Sequence, residues 1–109
     1  MYKVCGTRIE MVRGDTFVAV VSLCRDHEPY IPSEHDVIKF AAKRASEVTP
    51  RLVKIVPNDT MELCLLPEDT KDLPIGLYKY DMQIELENGD IDTFISSGEL
   101  ILRTDICRE

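Results

Sequence analysis

Cys24, His27 and His35 are the residues of this 109-residue chain whose types come nearest to a metal site. Structural zinc sites bring their ligands as Cys-x-x-Cys or His-x-x-x-His pairs, so that two ligands from one turn reach the same ion. Neither spacing occurs here. Two histidines in a solvated loop are therefore expected, and no metal. Thiol–imidazole catalysis needs one cysteine held beside one histidine. Four cysteines and two histidines allow many pairings, and no local motif selects one. Glu85, Glu87, Asp90 and Asp92 crowd around Asn88-Gly89. A calcium loop would place Asp or Asn at set positions upstream of its glycine, where Ile84 and Leu86 stand instead. The acidic group is expected to be a charged, solvated face that discourages edge-to-edge pairing. Arg13-Gly14-Asp15 matches the tripeptide read by integrins, but it falls where the chain needs a Gly-Asp turn. Paired carboxylates for glycoside hydrolysis need a cleft that nothing here announces. A phosphate loop, a nucleophile elbow and a dinucleotide fingerprint are all missing from the sequence. No catalytic residue, cofactor or reaction is expected.

The elements that carry these residues read as strands. Tyr78, Tyr80, Met82, Ile84 and Leu86 alternate with Lys79, Asp81, Gln83, Glu85 and Glu87, the period of a strand with one buried and one wet face. Asn88-Gly89 favours a two-residue turn. If Glu87 faces Asp90, Leu86 pairs with Ile91, Ile84 with Thr93 and Met82 with Ile95, and Glu85 sits opposite Asp92 in mild repulsion. Arg8 to Val12 is expected as a first strand leading into a hairpin turn at Arg13-Gly14-Asp15. Phe17 to Leu23 (FVAVVSL) is nearly all apolar, which predicts a strand buried on both faces. The residues from Arg25 to Pro32 are polar, hold two prolines, and predict a loop. Ser33 to Ala45 is open: Ser33-x-x-Asp36 resembles a helix cap, yet Val37 to Lys43 also fits a strand, which the surroundings favour. Leu52 to Val56 and Met61 to Leu66 are further strands. Pro67 to Leu73 begins with Pro and two acids and predicts one helical turn starting at Pro67. Ser96-Ser97-Gly98 predicts a bulge, after which Leu100 and Leu102 resume the inward face. Leu73-Pro74-x-Gly76-x-Tyr78 places a tyrosine at the start of a strand. There, in immunoglobulin-like sandwiches, a phenol bonds upstream backbone; Tyr78 is expected in that role, with Tyr80 as its competitor. The expectation is an all-β, immunoglobulin-like antiparallel β-sandwich of about seven strands, with one short helical turn near 67–73.

Composition sets the limits. A chain of this length is expected to form a single domain over 1–109, able to bury roughly 65% of its unfolded surface. At 44% apolar and 30% charged residues it has globular rather than disordered composition. The net charge of −7 leaves no cationic excess for phosphates, so neither nucleic acid nor an anionic membrane is expected as a partner. No apolar run approaches the roughly 20 residues of a spanning helix. The first residues lack the apolar stretch of a signal peptide, so synthesis in a bacterial cytoplasm without export is expected. In that reducing setting Cys5, Cys24, Cys64 and Cys107 are expected as free thiols, with Cys64 acting as a small hydrophobe.

Several of these residues together resemble a known family. Arg13-Gly14-Asp15-Thr16-Phe17 opens onto a buried strand. Leu66-Pro67-Glu68-Asp69-Thr70, with Leu73-Pro74-x-Gly76-x-Tyr78-x-Tyr80-Asp81-Met82, leads to the hairpin, and Thr93 and Gly98-x-Leu100-x-Leu102 follow. The string resembles the small immunoglobulin-like domains encoded in tail and baseplate regions of phages and prophages of Gram-positive bacteria. Among named families it resembles the N-terminal domain of the phage baseplate upper protein. The likeness runs from about Arg8 to Ile106 and departs from the pattern between Glu28 and Pro50. It implies a structural module without catalytic residues, docking on other virion proteins through a sheet face or edge, with homo-oligomerisation through sheet edges as a further expectation. A bacterial immunoglobulin-like protein- or carbohydrate-binding module is the alternative. Only Tyr30 and Phe94 are placed to offer an outward aromatic platform for sugar.

Overall fold

The structure, a computed structural model, describes residues 2–5, 8–25 and 28–104, and the side-chain surroundings of 8–23 and 30–104. In chain order the elements are β1 (Tyr2–Cys5), β2 (Arg8–Val12), β3 (Phe17–Val20), β4 (Cys24–Arg25), β5 (Glu28–Pro29), β6 (Val37–Lys43), β7 (Leu52–Val56), β8 (Glu62–Leu65), α1 (Pro67–Thr70), β9 (Gly76–Glu85) and β10 (Ile91–Arg103). The fold is all-β and sandwich-like. Seven of these strands, β2, β3 and β6 to β10, stand where alternation or an apolar run predicts a strand. β1 is an addition, and so is the two-residue pair β4–β5 inside the predicted loop. The open stretch 33–45 resolves as strand β6.

A six-stranded sheet runs β1-β2-β10-β9-β6-β7 and curls around a two-stranded sheet of β3 and β8. β6, β9 and β10 lie side by side as C, F and G do in an immunoglobulin sandwich, and β7 sits where variable-type domains add C′. β3 and β8 hold the places of B and E. Alternate residues of the large sheet point at the small one. Ile9, Met11, Ile38, Phe40, Ala42, Leu52, Val56, Tyr78, Tyr80, Met82, Ile84, Leu100 and Leu102 are buried there against Phe17, Leu63 and Leu65. Each large side chain so buried is worth about 1.5–3 kcal/mol relative to exposure, which is what holds the two layers together. The Phe40 and Tyr80 rings meet at 5.0 Å, within the range of favourable tilted pairs.

Four expectations are corrected. β2 does not form a hairpin with β3: it pairs in parallel with β10, Ile9 beside Leu100 and Met11 beside Leu102. The Arg13-Gly14-Asp15 turn instead carries the chain from one sheet to the other. Asp15 N–H donates to the Val12 carbonyl at 3.1 Å, and Gly14 adopts φ 88°. β3 is not buried on both faces. It ends at Val20, which is 71% exposed, because its sheet has two strands and no described element covers their outer side. The hairpin closes on three residues rather than two. Gly89 N–H reaches the Leu86 carbonyl at 2.9 Å and Leu86 N–H the Asp90 carbonyl at 2.7 Å, with Gly89 at φ 94°. This is a type I turn followed by a left-handed glycine. The expected register is therefore one residue out near the tip, where Glu85 faces Ile91 and Ile84 faces Asp92. An extra residue, Phe94, then restores it, so that Met82 meets Ile95 as expected. Finally, Glu85 and Asp92 are not opposite and lie on different faces of the hairpin.

The predicted bulge at Ser96-Ser97-Gly98 is present as a second register shift, with Ser97 at φ 58° and its N–H on the Asp81 carboxylate at 2.9 Å. α1 begins at Pro67 as predicted, and Asp69 reaches back to the Leu66 N–H at 2.7 Å. Tyr78 takes the corner role: its hydroxyl donates to the Pro74 carbonyl at 2.6 Å. Burial pushes that phenol above its ordinary 10.0. Gly14 N–H to the buried Thr70 hydroxyl, at 2.8 Å, ties the Arg-Gly-Asp turn to the same corner.

Candidate functional site

Of Cys24, His27 and His35, only the side chain of His35 is described. His35 is exposed and lies 3.3 Å from Glu34. His27 and the Cys24 side chain fall outside the described residues, as do Cys107 and the Cys5 side chain, so the expected free thiols are seen only at Cys64. That thiol is free and half-buried, on the outer side of β8 opposite Val18, rather than in the core. Among the described residues no group of three or more His, Cys, Asp or Glu is placed to hold a metal. The Arg13 guanidinium donates to the Leu73 carbonyl at 3.2 Å. The Arg-Gly-Asp turn is thereby bound into the corner rather than held out from the surface.

What the fold does build is a cleft at the hairpin end of the sandwich, of about 200 Å³, lined among the described residues by Leu23, Tyr30, Ile84, Leu86, Asp92, Thr93 and Phe94. Two devices shape it. The extra residue in β10 puts Phe94 and Ile95 on the core side in succession, where both pack against the core. Re-aiming a side chain is a regular effect of bulges. The second device is Asp36, a polar residue that is buried. Its Oδ2 accepts from the Tyr30 hydroxyl at 2.9 Å and from Ser33 N–H at 3.0 Å, and its Oδ1 accepts from Glu87 N–H at 3.1 Å. One carboxylate thus ties the Tyr30 wall to the hairpin wall. The Ser33 N–H bond, aided by Tyr30 and Glu87, holds the Asp36 carboxyl below its ordinary 3.8. On the rim, the Asp92 carboxylate has no hydrogen-bond or ion-pair partner among the described residues.

The other feature is the outer face of the six-stranded sheet. Val37 (42% exposed), Val53 (48%), Ile55 (56%) and Ile91 (57%) stand on it. The register puts Val37 and Ile91 on either side of Glu85, and Ile55 beside Lys39. Val37, Ile55 and Ile91 share a depression of about 160 Å³ with Lys39, Gln83 and Glu85. Lys39 and Gln83 also border a second, polar depression of about 450 Å³ with Lys43, Lys79 and Asp81. Val37, Ile55 and Ile91, with Val53 on the same strand as Ile55, form a patch at one end of this face rather than scattered exposure; Leu77, 45% exposed, stands on the same face further along β9.

Alternation already points Leu86 inward, whereas Val53 and Ile55 flank the polar Lys54, so the strand's pattern does not show that they face out. Asp36 was legible only as a cap, and the one sign of the Phe94 bulge is two consecutive apolar residues in an alternating strand. Fold and surface together define, among the described residues, a sandwich-like β domain with a small cleft at the hairpin end and a partly apolar sheet face. Comparison with protein-family models, with curated proteins and with solved structures finds no match to the chain.

Proposed function

We propose that this domain is a non-enzymatic assembly module of a phage or prophage tail or baseplate, docking on other virion proteins. The observation that carries the docking is the outer sheet face, where Val37, Val53, Ile55 and Ile91 are between 42% and 57% exposed. Apolar side chains gathered on a sheet gain free energy when a partner covers them. Mixed charges around them (Lys39, Lys43, Lys79, Asp81 and Glu85) supply the polar rim that protein interfaces use for orientation. The tail and baseplate setting rests on the sequence resemblance alone. The gene is expected among tail, baseplate or tail-fibre genes, and the chain in purified particles by mass spectrometry. A locus without such genes, together with particles that lack the chain, would overturn the reading.

A second reading, an immunoglobulin-like binding module for protein or carbohydrate, is favoured by one observation: Tyr30 and Phe94 line the same cleft. Both rings are half-buried and the cleft is narrow, so little aromatic face is offered to a sugar. Binding on a glycan array would favour this reading; a blank array would leave the assembly module.

A further inference from the structure

We infer that the cleft at the hairpin end receives a single basic side chain, lysine or arginine, from a partner protein. Its size sets the class of occupant. Small-molecule and cofactor pockets run from about 300 to 1,000 Å³, and this cleft is about 200 Å³, the scale of one long side chain. Its chemistry sets the type. Leu23, Ile84 and Leu86 give an apolar lining for a methylene stem, while Tyr30 and Phe94 are aromatic walls. Long cationic side chains bury their stems in such places and keep the charged head at the rim, and aromatic rings attract cations. At the rim stands Asp92, whose carboxylate has no partner among the described residues. No lysine or arginine is among the described lining residues. The hairpin turn adds Glu87 and Asp90 among the described residues, and the chain as a whole carries −7, so the field of these groups favours a cation. An uncharged apolar side chain would fill the same space but strip water from Asp92 without replacing it, a cost that the basic side chain avoids.

The cleft is also held ready. Asp36 fixes the Tyr30 hydroxyl and the Glu87 N–H together, so little ordering remains to be done on binding. Asp92 shares a face with Ile84, whereas Glu85 and Ile91 face the other way. Among the described lining residues only Thr93, opposite Gln83, borders both the cleft and the depression on the outer face, and the inference does not rest on the virion reading.

The test uses the whole isotopically labelled chain and four probes followed by amide shifts: the N-acetyl methylamides of lysine, arginine and norleucine, and maltose. Lysine and arginine probes should move the signals of Leu86, Asp92, Thr93 and Phe94 with millimolar affinity, the strength expected of about a dozen heavy atoms at ordinary ligand efficiency. The norleucine probe, which keeps the stem and lacks the charge, should bind about tenfold more weakly, the combined effect of one exposed ion pair and one cation–π contact. Asp92→Asn, on an exposed position, should leave the rest of the spectrum unchanged. It should weaken the basic probes by about threefold, the ion-pair share of the difference, and leave norleucine binding no weaker than before. Equal binding of norleucine and lysine, shifts confined to other residues, or no shift up to the solubility of the probes would each overturn the inference. Shifts at the cleft with maltose and none with the basic probes would overturn it in favour of a sugar site.

Discussion

Tyr78 and Asp36 are both tied by hydrogen bonds to backbone, but they respond to different perturbations. The Tyr78 ring is fully buried and its hydroxyl has one short bond, to the Pro74 carbonyl. Tyr78→Phe keeps the ring and removes the donor, leaving a buried carbonyl unpaired. The expected loss is about 1–3 kcal/mol, read by urea unfolding with an unchanged slope; an unaltered midpoint would mean that the corner bond contributes nothing. Asp36 is a charge-dependent tie. Its carboxyl is held below the ordinary 3.8, chiefly by Ser33 N–H, with Tyr30 and Glu87 adding to it. A depressed carboxyl contributes stability that is complete above its unfolded value and fades as pH falls through the folded one. The difference in melting temperature between the natural chain and Asp36→Asn should therefore be constant from neutral pH to about 5 and narrow below 3.8. Glu47, also depressed by its bonds to Arg51, titrates in the same range but is present in both chains, so the comparison removes it. A gap that stays constant down to the acid transition would show that Asp36 acts by shape alone.

At the scale of the element, two glycines of the hairpin are required for opposite reasons. Gly89 adopts φ 94° with nothing within 4 Å of where a Cβ would stand. Its demand is conformational, and Gly89→Ala should cost about 1–2 kcal/mol through left-handed strain. Asn, which tolerates that region, should recover part of the loss. Gly98 has no unusual φ, but a Cβ there would lie 2.5 Å from the Tyr80 ring. Its demand is steric, and Gly98→Ala should cost about 1–3 kcal/mol by overpacking, with Asn worse than Ala. Opposite orders of Ala and Asn at the two positions, measured by chemical denaturation, are the check; the same order at both would refute the distinction. The pair also marks how far the hairpin could be read from its residues. Alternation from Tyr78 to Leu86 fixes which side chains face the core, because a strand's side-chain period is local. Asn88-Gly89 announces a turn but is compatible with closure on two or on three residues, and only tertiary packing of Phe94 decides between them. The parallel pairing of β2 with β10 has no local sign at all. Those strands lie about as far apart in sequence as the chain allows, and alternation is the same for parallel and antiparallel neighbours.

For the whole molecule, the partition of surfaces matters more than any one contact. The cleft draws Leu23, Tyr30, Ile84, Leu86 and the Asp92–Phe94 run from separate stretches of chain, so no sequence window contains it. The sheet face is no more legible: Val53 and Ile55 share one side of a five-residue strand, but the polar Lys54 stands on the other, so only packing shows that the Leu52 and Val56 side goes to the core. If that face docks on a virion partner, charge placed on it should separate assembly from folding. Ile55→Glu combined with Ile91→Glu alters two side chains that are 56% and 57% exposed. Neither supports the core, so unfolding free energy should stay within about 1 kcal/mol of the natural chain. Docking should suffer far more: burying two carboxylates at the centre of an interface leaves them unpaired, a change that reaches about 2–4 kcal/mol at well-packed positions, or about thirtyfold and beyond in affinity. The measurement is incorporation of the double variant into particles beside the natural chain, with unfolding followed in parallel on the purified domain. A stable variant excluded from particles assigns docking to this face. A stable variant incorporated as well as the natural chain moves docking elsewhere, to the sheet edges or to the cleft.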